Sequence, residues 1–518
     1  MKSAGQSRVI LEVVCEVLWA MALICLPITS FPLFSSLTGA LVAPLSIVPI
    51  FILFLLWGLP LILHKGKLPR ETIPLAVFTL VVILSCAFAF FLYIPGFKGK
   101  SIPGQEIRAL FTLALGLTFF LTTTTWVNDL ERLKNSWKYL TIGGIISLVW
   151  TGFQAFYILR HAEAFPTWLS QVQSWLSVRS PSFSSQYSRV NGLTYEASWF
   201  AHQMVMIYLP LWMAASFHKT SAFKLRIFRL STENFLLIFG LGEFFLSSPR
   251  IGLVSLFLMA IYFFVRINLA FYRRIVKNLS KKLSSIKGRA LLTSRTSIGV
   301  FTSFFIVLAY ILLFSGVFLL ASQRDWRLSL LISDPPSMKE IIGVLTLDQN
   351  TLLDVSHRFI FMERVVYWFN GWNVFNQYPW LGVGLGNTGF FFPDMAPAAG
   401  WATFEIRNAL YYFTQLPNVK SFWFRLFAET GLAGTSIFIT WFYILFQSSR
   451  FSQLHRHATI KTFALASQLA LLAFIGEGFS IDSFAMPYFW IIAGLIAAIA
   501  MLVRREFSNN QISGLSRF

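Results

Sequence analysis

The residues of this chain best suited to chemistry are cationic. Arg189, Arg250, Arg358, Arg364, Lys420 and Arg425 fall near the ends of apolar runs or within the longest polar stretches. A guanidinium forms bidentate, charge-assisted hydrogen bonds to phosphate and keeps its charge when buried. An arginine at the centre of a bilayer costs about 2.5–3.5 kcal/mol on insertion scales, so each one in apolar surroundings needs a partner or a ligand. Arg250 follows Ser247, Ser248 and Pro249, where a helix must break and release backbone groups. Either Glu243 neutralises it or an anion does, and the residues alone leave both open. The run GVGLGN at 382–387 lacks the strand and helix of a dinucleotide fold, but its Gly384 and Gly386 offer backbone amides that an anion can approach. Walker, HExxH, paired CxxC and DxD patterns are absent, so no metal and no cofactor is expected.

The elements that must position these residues are membrane helices. Of 518 residues 56% are hydrophobic and only 12% charged, and the mean hydropathy is +0.65, outside the balance of soluble domains. Apolar runs long enough to span a bilayer are expected near 9–28, 40–63, 73–94, 105–127, 139–159, 197–216, 233–248, 251–267, 299–321, 421–447, 463–481 and 485–503. The pair flanking Pro249 is short enough to be one broken element. The fold class predicted is therefore all-α, a polytopic transmembrane bundle of about 12 helices forming a single integral membrane domain over 1–518. Its N-terminal helices occupy 1–188 and a short tail 504–518. Cys15, Cys25 and Cys86 lie in apolar runs and read as core residues.

A net charge of +20 suggests nucleic acid until the charges are placed. Most of the 42 Lys and Arg residues fall in alternate connections, which by the positive-inside rule puts both termini in the cytoplasm. The densest stretch, 266–295, reads as a juxtamembrane segment against anionic membrane lipid, and no nucleic acid partner is expected. Two long extracytoplasmic loops result, about 160–196 and 322–420. Within the second, Phe359, Val366, Phe369, Trp372 and Phe375 suggest an interfacial amphipathic helix over 358–378.

Four segments in order resemble the bacterial O-antigen polymerase and O-antigen ligase superfamily of lipid-linked glycan transferases. RVNGLTYEASWFA (189–201) is similar to the family's Arg, Gly, Glu, small-residue entry to a helix, and SSPRIGL (247–253) to its Ser-Arg helix break. In RVVYWFNGWNVFNQYPWLGVGLGN (364–387) the Arg, Trp368, Pro379 and the glycine loop keep the family's spacing. KSFWFRLFAETGLAG (420–434) looks like the family's re-entering helix with its Ala-Glu-Thr-Gly element, but Lys420 and Ser421 stand where ligases carry His-Asn. The resemblance covers 189–503, whereas 1–188 match only as hydrophobic helices.

That resemblance implies a GT-C-like, metal-independent, inverting enzyme in the plasma (inner) membrane of a bacterium. It would transfer sugar from an undecaprenyl-diphosphate-linked glycan donor to a glycan or lipid acceptor. Charge growing on the leaving diphosphate needs positioned cations, for which Arg189, Arg250 and Arg364 are the candidates, with Lys420, Gly384 and Gly386 completing the diphosphate site. The acceptor hydroxyl needs a base, and Glu196, at the mouth of a helix, is the candidate catalytic carboxylate beside Arg250 and Arg364. An acid paired to an arginine at a helix end is the competing role for Glu196. His202 and His357 do not align with the ligase histidine. Glu429 reads as a packing residue, and Arg425 as lying beyond the anion cradle. Polymerisation of O-antigen or exopolysaccharide repeat units, with a chain-length regulator as a further partner, is preferred over ligase-type transfer of finished glycan. A transporter or flippase of anionic lipid or glycan is the reading from another class.

Overall fold

A computed structural model describes the chain from 2 to 515 apart from 39–41, 65, 161–164, 180–188, 229, 248, 284–303, scattered positions within 305–325, and 347. The described residues form two compact units, Met1–Ser255 with Met362–Phe518, and Leu256–Phe361.

The first unit is a helical bundle: α1 (Lys2–Ile24), α2 (Ile47–Leu63), α3 (Thr72–Ala89), α4 (Ile102–Trp126), α5 (Leu130–Leu159), α6 (Ala197–His218) and α7 (Thr232–Leu246) come first. α8 (Arg250–Leu283) begins in the first unit and continues in the second from Leu256, and α9 (Met362–Gln377), α10 (Phe422–Ser452), α11 (Ala458–Glu477) and α12 (Pro487–Leu515) complete the set. Eight of these are long and apolar enough to cross a membrane, so the chain is a polytopic all-α membrane protein. Of the other expected spans, α2 and α7 are shorter, α1 carries Arg8, Glu12 and Glu16, and 299–321 lies largely outside the described residues. Of the basic stretch 266–295, residues 266–283 form the end of α8 and 284–295 lie outside the described residues. Strand structure among the described residues is one antiparallel hairpin, Arg226–Ile227 with Leu230–Ser231.

Helix starts follow their capping residues. The Ser101 hydroxyl accepts from the Gly104 amide ahead of α4, and Asp129 accepts from the Arg132 amide at 2.8 Å ahead of α5. Interior helices are separated from peripheral ones by burial: 89% of the apolar window of α6 and 83% of that of α12 lie inside the protein, against 33% for α3. Several polar groups within the bundle pair across helices. Glu16 on α1 accepts from Asn135 (3.0 Å) and Tyr139 (2.9 Å) on α5, while Trp19 donates to Ser136.

The decisive irregularity is in α10. Gly431 has φ +61 and ψ −162, so the helix breaks inside a continuous apolar run. Its released groups are taken up by the segment that contains the glycine loop. The Leu432 and Ala433 amides donate to the carbonyls of Pro379 and Trp380, and the Val383 and Gly384 amides donate to those of Ala428 and Glu429. A Cβ on Gly382 would sit 2.5 Å from the Glu429 carbonyl carbon, and one on Gly431 2.4 Å from Trp380. Only glycine fits these positive-φ contacts. The hydroxyl of Ser85, on α3, stands 2.5 and 2.7 Å from the Leu381 and Glu429 carbonyls and closes the joint.

A second departure from the expected spans is the end of α11. It stops at Glu477 and not near 481, and the turn after it is held by Gly478, whose carbonyl accepts from the Phe422 amide (2.7 Å) and the Ser421 hydroxyl (3.1 Å). The expected loop 322–420 is largely short helices. In the second unit Trp326–Ser333, Met338–Leu345 and Gln349–Arg358 are joined by a Ser337–Glu340 capping box, and Arg358 pairs with Asp334 and Glu340. The expected helix over 358–378 is α9, beginning at 362 after Ile360 turns the chain at φ 53.

Candidate functional site

A cavity of about 280 Å³ opens in the first unit where the head of α4, the glycine loop, the 416–419 segment, the head of α10 and the turn after α11 meet. Its charged lining is Arg108, Arg425, Glu429 and Asp482, with Gln105, Thr388 and Asn418 as neutral polar groups and Gly386 as bare backbone. Arg425 and Glu429, one helical turn apart, pair at 2.8 Å, and Arg425 Nη1 also donates to the Asp482 carbonyl at 2.5 Å. The second oxygen of Glu429 faces the Thr388 hydroxyl at 3.3 Å. Asp482 Oδ2 accepts from the Lys420 amide at 3.2 Å.

Arg364, in the first turn of α9, joins this network through the backbone. Its Nη1 donates long bonds to the carbonyls of Lys420 (3.4 Å) and Ser480 (3.3 Å), and among the described residues it faces no carboxylate ion pair. Arg179, Arg358, Arg425 and Arg504 each have a carboxylate partner. Lys420, at φ 51, points its ammonium to Glu405 and lies 4.5 Å from the Tyr367 ring centroid. Burial first, then the Glu405 charge, pushes the Tyr367 phenol well above its ordinary range, so it stays protonated beside that pair.

The structure thus brings Arg364, Lys420, Gly384 and Gly386 into one neighbourhood. Of these only Gly386 lines the cavity; Gly384 donates its amide to the Glu429 carbonyl, and Gly386 donates its own to the Glu429 carboxylate. Arg189, Glu196 and Arg250 are not among the lining residues. Glu196 caps the start of α6 by backbone position, and its carboxylate accepts from Arg179 at 3.1 Å and Ser198 at 2.5 Å. Arg250 opens α8 after the Pro249 break, and the buried Glu243 Oε2 finds no hydrogen-bond partner among the described residues. His202 is buried 3.4 Å from Glu477, and His357 lies in the second unit.

Two residues set aside in the sequence reading stand in this cavity. Arg425 lines it, paired with Glu429 at i, i+4 near the head of α10. Glu429 is likewise part of the cavity wall and not packing alone. Arg108 and Asp482 escaped the sequence reading altogether. Arg108 sits in the first turns of an apolar span, and Asp482 in a connection that looked like the end of a helix. A lone acid between two strongly apolar runs was the available signal for Asp482.

The fold and the cavity define a polytopic helical membrane protein with a polar site lined by two arginines and two carboxylates. Residues 235–439 match the family model described as O-antigen ligase, which supports the resemblance to the O-antigen polymerase and ligase superfamily. The matched region contains Arg250, Arg364, Lys420, Arg425, Glu429 and the glycine loop. No curated protein matches the chain.

Proposed function

We propose that the chain transfers a glycan from an undecaprenyl-diphosphate carrier to an acceptor sugar, at the outer face of a bacterial inner membrane with both termini in the cytoplasm. The preferred outcome is polymerisation of O-antigen or exopolysaccharide repeat units. One observation carries this reading: Arg364, half-buried beside the cavity, has no carboxylate partner among the described residues, and its spare donors suit an anionic ligand. Arg364, Lys420 and Gly386 would hold the diphosphate, with Arg250 and Arg189 as further contacts and without a metal ion. Positioned guanidinium groups can stabilise the charge that grows on the leaving oxygen as the anomeric carbon inverts. Glu196 and the carboxylates of the cavity are the groups from which a base would be drawn.

Ligase-type transfer of finished glycan is the second reading, favoured by the description of the matching family model, while Lys420 and Ser421 in place of His-Asn favour the polymerase. Full-length protein in liposomes, supplied with lipid-linked glycan extracted from cells lacking the gene, tests both. Chain growth that Arg364→Ala abolishes supports polymerisation. Transfer to an added lipid acceptor without growth supports the ligase, and movement of lipid across the bilayer without a new glycosidic bond would sink both.

A further inference from the structure

The cavity holds two carboxylates whose surroundings differ. Glu429 is 4% exposed and both its oxygens are occupied, one by Arg425 and the other by Thr388. Asp482 stands on the turn between α11 and α12, with Oδ2 on the uncharged Lys420 amide and its other oxygen accepting no hydrogen bond among the described residues. That amide belongs to the position where the ligase pattern carries His, while the Lys420 side chain itself is turned away to Glu405 and Tyr367. The charged groups around Asp482 are Arg425 and Glu429 on α10, Lys420 just before it, and Arg108 on α4. Arg364 on α9 reaches the carbonyl of Ser480, two residues away.

We propose that this cavity binds the acceptor sugar and that Asp482 takes the proton from its attacking hydroxyl, an assignment that rests on the glycosyl-transfer reading above. Gln105, Thr388 and Asn418 supply the neutral donors and acceptors that a polyhydroxyl ligand needs, and the volume is at the small end of ligand pockets, fitting a terminal sugar and not a whole chain. In the step, the acceptor hydroxyl proton passes to the Asp482 carboxylate and the hydroxyl oxygen forms the new bond to the donor's anomeric carbon. The bond from that carbon to the diphosphate oxygen breaks, and its electron pair leaves on the diphosphate beside the arginines. The free oxygen of Asp482 is the acceptor site this transfer requires.

The test is Asp482→Asn beside Asp482→Glu, in full-length protein in liposomes with the extracted lipid-linked glycan. Asparagine keeps an acceptor for the Lys420 amide, so the turn is retained. Asp482→Asn is expected to lower transfer about 100-fold or more, to flatten the acid limb of the pH–rate profile, and to leave binding of undecaprenyl diphosphate within about twofold. Asp482→Glu is expected to restore part of the rate with a displaced acid limb. Wild-type turnover by Asp482→Asn, an unchanged acid limb, or loss of lipid-diphosphate binding in step with turnover would each overturn the assignment. If the wild-type protein forms no glycosidic bond, the underlying function fails and Asp482 falls with it; an active wild type with an active Asp482→Asn removes Asp482 alone.

Discussion

Two ion clusters in the first unit contain similar residues and serve opposite ends. In one, the fully buried Glu71 receives two hydrogen bonds from Arg504, at 3.1 and 2.5 Å, and a third from the Ser448 hydroxyl, while its carbonyl accepts from Trp441. Every charge there is answered, and the cluster fastens α3, α10 and α12 together. In the other, Arg364, Lys420, Arg425 and Arg108 face only Glu405, Glu429 and Asp482, and the cluster opens onto a cavity. A closed pair locks helices, whereas an open one with spare guanidinium donors keeps capacity for a ligand. The difference lies in stoichiometry and access, not in residue type.

That contrast is broken or sharpened by substitution. Arg504→Ala leaves Glu71 buried without its partner and is expected to lower stability by about 3 kcal/mol, read as a fall in melting temperature in detergent, with the transfer rate per folded molecule unchanged. A rate loss at full stability would show that the first cluster belongs to the site. Arg364→Ala should do the reverse: transfer is expected to fall about 100-fold or more with little change in melting temperature. Arg425→Ala should match that rate loss and also lower stability, because Glu429 is left buried. A rate effect confined to Arg364 would return Arg425 to a structural role. Gly382→Ala forces a side chain into positive φ and against the Glu429 carbonyl, a strain of roughly 1–3 kcal/mol, expected to show in the yield of folded protein.

The smallest effect belongs to the second unit. Hydrogen bonds from Ser337, then Arg358, hold the Glu340 carboxyl below its ordinary range, and those from Thr351 do the same for Asp348. A depressed carboxyl pKa contributes stability that is complete above the ordinary values of 4.5 and 3.8 and is lost as pH falls through the lower folded ones. Protection factors of the described amides over 337–358, taken relative to intrinsic exchange at each pH, should therefore fall between pH 6 and pH 3. Protection that is flat across that range would contradict it.

The membrane bundle was largely legible in the sequence because apolar length is what a bilayer selects, and the break at Pro249 because proline cannot donate. The segment around Arg364 and the glycine loop, singled out by its spacing, packs against the head of α10, where the cavity opens. What stayed hidden were features without a local signature. The Ala-Glu-Thr-Gly element marks the Gly431 break, but the acceptors that hold it, on Pro379 and Trp380, lie in a loop remote in the chain. Ending α11 at Glu477 depends on Gly478 meeting the head of α10. Arg108 and Asp482 meet only after helices far apart in the chain have packed.

The joint at Gly431 also bears on how the protein is made. A helix interrupted within the hydrocarbon carries amides that lipid cannot satisfy, and here their acceptors come from Pro379 and Trp380, which leave the ribosome some fifty residues earlier. The loop must therefore wait at the membrane surface for its helix and enter with it, so α10 cannot be inserted as an independent span. Lengthening the chain between 388 and 421 would be felt first in biogenesis.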